Sequence, residues 1–186
     1  MKDIILFGIQ WCGKGTQADL LRKAYPDMFS YFASGDCFRA LRSTDNPIGN
    51  YLSQRMDAGM MIADEVTMRL VDMYVATVAD DAKAMLIDGY PRNIAQLDHI
   101  AQIAQDHHRD IVGIYFTLDR EIAKQRMVSR ARPDDTPEGI ETRLSRFFEK
   151  SLPMIDAFRQ KFTLIEIDST PSIEEIAAKV REVVAN

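Results

Sequence analysis

An apolar run, DIILFGI (3–9), closes on a glycine, and in fifth and sixth place beyond Gly8 come Gly13 and Lys14, which open a segment of helical character. A short apolar run of this kind fits a strand buried on both faces. Beyond Lys14, Ala18, Leu20, Leu21 and Ala24 recur at helical spacing and the pattern stops before Pro26. The frame Gly8-x-x-x-x-Gly13-Lys14, set between a strand and a helix, is the context in which a loop cradles phosphate groups. Backbone N–H groups turned inward, together with the positive end of the helix, favour an anion there. Lys14 is placed to reach the β- and γ-phosphates of a nucleotide.

The same alternation continues along the chain. AMLID (84–88), DIVGIYFTL (110–118) and FTLIEID (162–168) read as further buried strands, with a shorter one at YFAS (31–34). Helical patterns cover 48–58, 64–79, 93–106, 119–130, 137–161 with a break expected at Pro153, and 172–185. Strands that alternate with helices imply parallel pairing and right-handed crossovers. The expected fold is therefore α/β, a three-layer α/β/α sandwich on a parallel sheet, and 186 residues suffice for one core of this kind. Two stretches break the alternation. Residues 35–63 hold helices without a strand, and ARPDDTPE (131–138) is a polar, proline-bearing loop between helices. Insertions of this sort are either mobile binding elements or plain surface excursions, and the pattern does not choose between them.

Composition narrows the functional classes. A net charge of −5 with no run of Lys or Arg argues against a nucleic-acid partner. No apolar run approaches the ~18 residues of a membrane span, and MKDIILFGI is too short and too acidic for an export signal, so cytoplasm is the expected location. Two cysteines, Cys12 and Cys37, make neither a disulfide framework nor a cysteine-held structural zinc site. The adjacent pair His107-His108 reads as a solvated helix end.

Lys14 is followed by Gly15 and Thr16 where the general phosphate-loop pattern has Ser or Thr directly after the lysine. GKGTQ is the form found in nucleoside monophosphate kinases, and here the chain resembles the adenylate kinase family, whose loop reads GxPGxGKGTQ. Gln10 stands where that pattern has proline, and Trp11 where it has glycine. The resemblance implies that ATP is held by Trp11, Cys12, Gly13, Lys14, Gly15 and Thr16, mainly through backbone. If the Trp11 position demands positive φ, its Cβ costs about 1–2 kcal/mol, which a folded domain tolerates. An indole turned inward would fill the phosphate cavity. With Lys14 and both glycines in place, the loop is expected to be competent.

Three more motifs follow in the family's order. SGDCFRA (34–40) resembles TGDxxR, which implies Ser34 and Arg39 at the acceptor phosphate and Asp36 as an outer-sphere holder of Mg²⁺. The plain alternative is a helix capped by Ser34 with Arg39 in solvent. MDAGMMIADE (56–65) matches the acceptor-domain pattern, so Met60, Met61 and Ile62 are expected to line the base pocket; taken alone they read as core. LIDGYPRNIAQ (86–96) resembles LDGFPRTxxQ. Its apolar strand ends in Asp88, where a second carboxylate toward Mg²⁺ belongs, acting through water. Gly89, Tyr90 and Pro91 carry the chain close to the acceptor, and Arg92 offers its phosphate a fork of donors. Gln96 can pair a donor and an acceptor with the edge of adenine. Asn93 echoes the PRN of pyrimidine monophosphate kinases, which carry an asparagine at the position of Gln96.

Arg126 and Arg130 lie four apart and share a helix face; Arg132 and Arg143 follow. A salt-bridged surface with Glu121, Asp134, Asp135 and Glu138 is one account. The resemblance implies another, a short closing lid in which Arg126 and Arg130 meet ATP while Arg132 and Arg143 span the transferred phosphoryl and the acceptor. No histidine or carboxylate is placed as a general base, and none is required: the nucleophile is a phosphate oxygen whose second pKa is about 6. Transfer between two phosphates asks for alignment and neutralised charge.

The resemblance covers about residues 3–183 and implies a P-loop nucleoside monophosphate kinase. Its reaction would be MgATP + AMP ⇌ 2 ADP, with an acceptor segment at 33–62, a lid at 129–136 and the carbonyl of Pro171 against the adenine of ATP. The implied partners are ATP, AMP and ADP, the cofactor Mg²⁺ without structural zinc, and the enzyme a monomer. Two alternatives stay open: a UMP/CMP kinase, or a nucleotide-binding protein in which Trp11 has abolished transfer.

Overall fold

The computed structural model describes residues 2–80, 82–130 and 136–185, the side chain of residue 130 excepted. Five strands, β1 (Lys2–Gly8), β2 (Phe29–Ala33), β3 (Ala84–Asp88), β4 (Asp110–Thr117) and β5 (Thr163–Asp168), form one sheet in the order β2-β3-β1-β4-β5, every pair parallel. β1 sits at the centre because Ile4, Ile5, Leu6 and Phe7 are all buried, so neither face can be given to water. The connections are α1 (Lys14–Ala24), α2 (Ser34–Arg42), α3 (Pro47–Asp57), α4 (Asp64–Thr77), α5 (Ile94–Asp106), α6 (Arg120–Arg130), α7 (Pro137–Arg146), α8 (Leu152–Lys161) and α9 (Ile173–Ala185). α1 packs on α9, and α5 packs on both α4 and α8. The result is a parallel sheet with helices on both sides, as the alternation of elements predicts. Among the described residues no helix is long and apolar enough to cross a membrane.

The register brings the functional ends together. Leu6 and Ala33 both face Asp88, and Gly8 faces Phe116, so the carboxyl ends of β1, β2 and β3 share one edge of the sheet. From β1 the chain moves to one side to build β2 and β3 and to the other to build β4 and β5. That reversal leaves a crevice above the carboxyl ends, the place where ligands bind in open parallel sheets.

Of the two stretches that break the alternation, residues 131–135 of the second lie outside the described residues, and the first holds α2 and α3. α2 and α3 have a small core of their own, Phe38, Leu52 and Ile62, set apart from the main cluster around the sheet. The expected break at Pro153 is absent: the chain stays helical from 137 to 161 and widens to a π-helix at Phe147–Ser151. In an α-helix the carbonyl of Glu149 needs an N–H from Pro153, which has none. The π step, seen in the bond from the Leu152 N–H to the Phe147 carbonyl, shifts each partner by one residue and passes the proline. The strand read at 31–34 runs instead over Phe29–Ala33, because Ser34 already belongs to α2.

Candidate active site

A cleft of about 510 Å³ lies over the carboxyl ends of β1 and β3. One wall is the loop between β1 and α1. Gly8 has φ 146°, and a Cβ there would meet Cys12 Sγ at 2.5 Å and the Phe116 carbonyl at 2.7 Å, so only glycine fits. Lys14 turns back over the loop: its Nζ donates to the carbonyls of Gly8 at 2.7 Å and Ile9 at 3.0 Å. Gly13, Gly15 and Thr16 line the cleft with it. Cys12 does not. Its side chain is buried, burial pushes its thiol up, and only its backbone is available to a ligand.

Trp11 takes φ 69°, so the glycine of the family pattern was answering a backbone requirement that the indole meets under strain. The ring is half-buried, packs on the edge of the core and forms part of the cleft wall. It does not fill the cavity. Replacement of Trp11 by glycine relieves about 1–2 kcal/mol of strain and forfeits the ring's packing. Because the loop offers ligands its backbone, we expect kcat and KM for ATP to stay within about tenfold of wild type in steady-state kinetics. A larger gain, beyond about 1.4 kcal/mol, marks the indole as an obstruction. Beside it, Gln10 Oε1 is buried with no hydrogen-bond partner among the described residues.

Asp88 ends β3 and faces this loop. Burial raises its carboxyl above the usual range, Lys14 and Arg92 draw it back, and Asp36 pushes it up again. Asp36 lines the same cleft and is paired with Arg39. Two carboxylates and Thr16 thus line the cleft together. Among the described residues no group of three or more His, Cys, Asp or Glu comes together to hold a metal. The donor set fits Mg²⁺, which keeps several waters and takes the rest of its ligands from phosphates.

The opposite wall is built on the turn after β3. Gly89 has φ 81°, and a Cβ there would lie 2.6 Å from Ser34 Oγ and 2.9 Å from Arg92 Nη2. Ser34 does not cap α2; Ala33 holds that position, and the buried Ser34 hydroxyl donates to the Gly89 carbonyl at 2.8 Å. Arg92 Nε donates to the same carbonyl at 2.7 Å. Burial lowers the Arg92 pKa, Asp88 opposes this, and Arg39 and Arg143 act with burial. The structure therefore gathers Arg39, Arg92 and Arg143 around one cleft. Tyr90 is fully buried and does not line it; its hydroxyl meets His99 Nδ1 at 2.6 Å, and His99 Nε2 meets Asp72 on α4 at 2.8 Å. Pro91 follows in the cleft wall.

Met60, Met61 and Ile62 line the far end, and Ile62 also belongs to the small core beneath α2 and α3. Arg55 fixes this stretch by donating Nε and Nη2 to the Met61 carbonyl at 3.1 and 2.8 Å. Gln96 is 1% exposed yet touches the cleft. Its Nε2 donates to Asp64 Oδ1 at 2.7 Å, and its Oε1 accepts from the Arg92 backbone N–H at 2.8 Å. Asn93 caps α5 by accepting from the Gln96 N–H at 3.0 Å and donates to Asp64 Oδ1 at 2.8 Å, so its place in PRN has a structural use.

The arginines after β4 divide. Arg143 lines the cleft and its Nη2 donates to the Met56 carbonyl at 3.2 Å. Arg126 stands at the rim, where Nη2 donates to the Ser169 carbonyl at 3.1 Å and Nη1 reaches the Trp11 carbonyl at 3.5 Å. It thereby ties the phosphate loop to the turn after β5 that carries Pro171, and neither Arg126 nor Pro171 lines the cleft. Arg132, Asp134 and Asp135 lie outside the described residues, as does the side chain of Arg130. Arg146 lines the cleft and escaped the sequence reading, although its i,i+3 spacing from Arg143 was a usable signal.

Residues 6–163 match the family model for adenylate kinase. The chain is 33% identical over 186 residues to an adenylate kinase of Leuconostoc mesenteroides, covering 100% of this chain and 98% of that one. It is 28% identical over 187 residues to an adenylate kinase of Oenococcus oeni, with 100% and 98% covered. With an adenylate kinase of Corynebacterium glutamicum it shares 33% identity over 177 residues, 95% of each chain.

Proposed function

The chain belongs to the adenylate kinase family, and on that premise we propose how its cleft divides the work of the family's reaction. That reaction is reversible transfer of a phosphoryl group from ATP to AMP, giving two ADP. The observation that carries the division is the opposition of two walls: Lys14 and its loop on one side, Arg39, Arg92 and Arg143 on the other, with Asp88 between them.

In this reading the loop amides and Lys14 hold the β- and γ-phosphates of ATP, while Arg126, Arg130, Trp11 and the carbonyl of Pro171 border the rest of that nucleotide. AMP enters over Met60–Ile62, with its base at Gln96 and its phosphate on Arg39 and Arg92. Arg143 and Arg132 complete the charge around the group in flight. Since one phosphate oxygen attacks another phosphorus, the protein's task is alignment and neutralisation, and four or more fixed cations supply both. Asp36 and Asp88 would hold Mg²⁺ through water, and the ion would add to that neutralisation of phosphate charge. The segment 33–62, with its own small core, and the lid at 129–136 close on the substrates and exclude the water that would otherwise take the phosphoryl group. The enzyme acts as a cytoplasmic monomer on free nucleotides.

Purified protein given ATP, AMP and Mg²⁺ is expected to form ADP until the three nucleotides reach equilibrium, as read by chromatography. Protein that leaves ATP and AMP unconverted, yet converts them at speed once Trp11 is glycine, would instead be a nucleotide binder silenced by its indole. Faster turnover with CMP than with AMP would make the acceptor a pyrimidine nucleotide.

A further inference from the structure

An amide side chain can turn over, and each orientation reads a different base. Gln96 cannot turn over freely. A carboxylate only accepts and a backbone N–H only donates, and the two anchors of Gln96 are one of each: Asp64 Oδ1 at 2.7 Å from Nε2, and the Arg92 N–H at 2.8 Å from Oε1. Reversal would set Oε1 against the carboxylate and Nε2 against the N–H, exchanging two hydrogen bonds for two repulsions in a side chain only 1% exposed. Asp64 is itself held, since the same Oδ1 accepts from Asn93 Nδ2 at 2.8 Å and the residue opens α4.

An amide has two N–H donors and two acceptor lone pairs. With one of each spent on Asp64 and Arg92, one donor and one acceptor remain, and their order along the amide is fixed. We propose that Asp64 is a positioning residue that locks the Gln96 amide, so that the acceptor site selects bases carrying an amino group beside a ring-nitrogen acceptor and rejects those carrying an oxo group beside a ring N–H. The proposal rests on the reading of this cleft as the acceptor site of a nucleoside monophosphate kinase. Adenine, with its N6 donor next to the N1 acceptor, meets the locked amide twice. Hypoxanthine has nearly the same outline, but its O6 acceptor and N1 donor oppose the amide at both points. Uracil is opposed in the same way, whereas cytosine shares the adenine pattern and differs in size.

Steady-state kinetics with AMP and with inosine 5′-monophosphate as acceptors, in wild type and in Asp64→Asn, test the lock. Wild type is expected to favour AMP in kcat/KM by at least about a hundredfold, the discrimination available to a site whose polar groups would be left opposed. Asp64→Asn, which can donate as readily as accept, removes one of the two anchors. Its preference is expected to fall at least tenfold, through a lower KM for the inosine nucleotide, with the KM for ATP unchanged; a merely structural role would not shift that ratio. Retention of the wild-type ratio by Asp64→Asn overturns the lock. So does a wild type that converts both acceptors alike, and this result leaves the kinase reading standing and does not depend on the variant's folding. A wild type that converts neither acceptor overturns the kinase reading and the lock with it.

Discussion

Lys14→Ala is expected to lower kcat/KM for ADP formation by about 10³-fold, roughly 4 kcal/mol of transition-state stabilisation, with the melting temperature little changed. Two losses combine. The ammonium is the only cation of the loop itself, held over the Gly8 and Ile9 carbonyls, and in the proposed division of the cleft it meets charge on the transferred group. It also draws down the carboxyl of Asp88, which burial otherwise raises. Without Lys14 the Asp88 pKa moves further up. A carboxylate needed in its charged form is then lost at a higher pH, so the acid limb of the residual kcat/KM profile should shift upward. Lys14→Arg restores the charge but not its compact shape, and should recover little of the rate. A loss under tenfold for Lys14→Ala would remove the loop from contact with the phosphoryl group.

What the sequence disclosed and what it withheld follow from the range of the interactions involved. β1, its loop and α1 were legible because each rests on neighbours in the chain: an apolar run, glycines where a Cβ has no room, and a helical repeat. β3 was found at its observed bounds, 84–88, for the same reason, ending in an acid that the apolar run could not absorb. The positive φ of Trp11 was readable as a condition, since a glycine in the family's loop is a statement about backbone. The anchoring of Gln96 was not, because Asp64 lies 32 residues away and nothing in its local pattern separates a buried hydrogen-bond acceptor from an ordinary acid at a helix start. Tyr90 was read as a contact to the acceptor, yet its hydroxyl is spent on His99, which connects through Asp72 to α4. The helix through Pro153 failed in the other direction: a local rule, that proline ends a helix, was overridden by packing that a π step made possible.

The largest effect on stability is expected far from the cleft, at a pair that no local pattern in the chain joins. Asp3, at the start of β1, is 1% exposed and accepts from Arg109 Nε at 2.7 Å, from Arg109 Nη2 at 2.8 Å and from the Met85 N–H at 2.7 Å. Arg109 stands just before β4 and donates as well to the Lys83 carbonyl at 2.6 Å, so one guanidinium fastens the amino ends of β1, β3 and β4. Arg109→Ala leaves a carboxylate in the interior with the Met85 N–H as its donor among the described residues, and breaking a buried pair in this way costs about 3–5 kcal/mol. For a chain of this length that corresponds to a melting temperature lower by roughly 6–20 °C. Most of the cost is the stranded charge, and its removal should return much of it. The double variant Asp3→Leu with Arg109→Met, which takes away both charges and fills the space, is expected to be more stable than Arg109→Ala alone. Denaturant titration of wild type, Arg109→Ala, Asp3→Leu, Arg109→Met and the double variant measures this coupling. Because the pair sits at the opposite edge of the sheet from Gly8 and Asp88, the folded fraction of each variant should keep kcat/KM within a few-fold of wild type. A double variant as unstable as the sum of its parts would show that the guanidinium acts through packing along its length and that the buried charge contributes little.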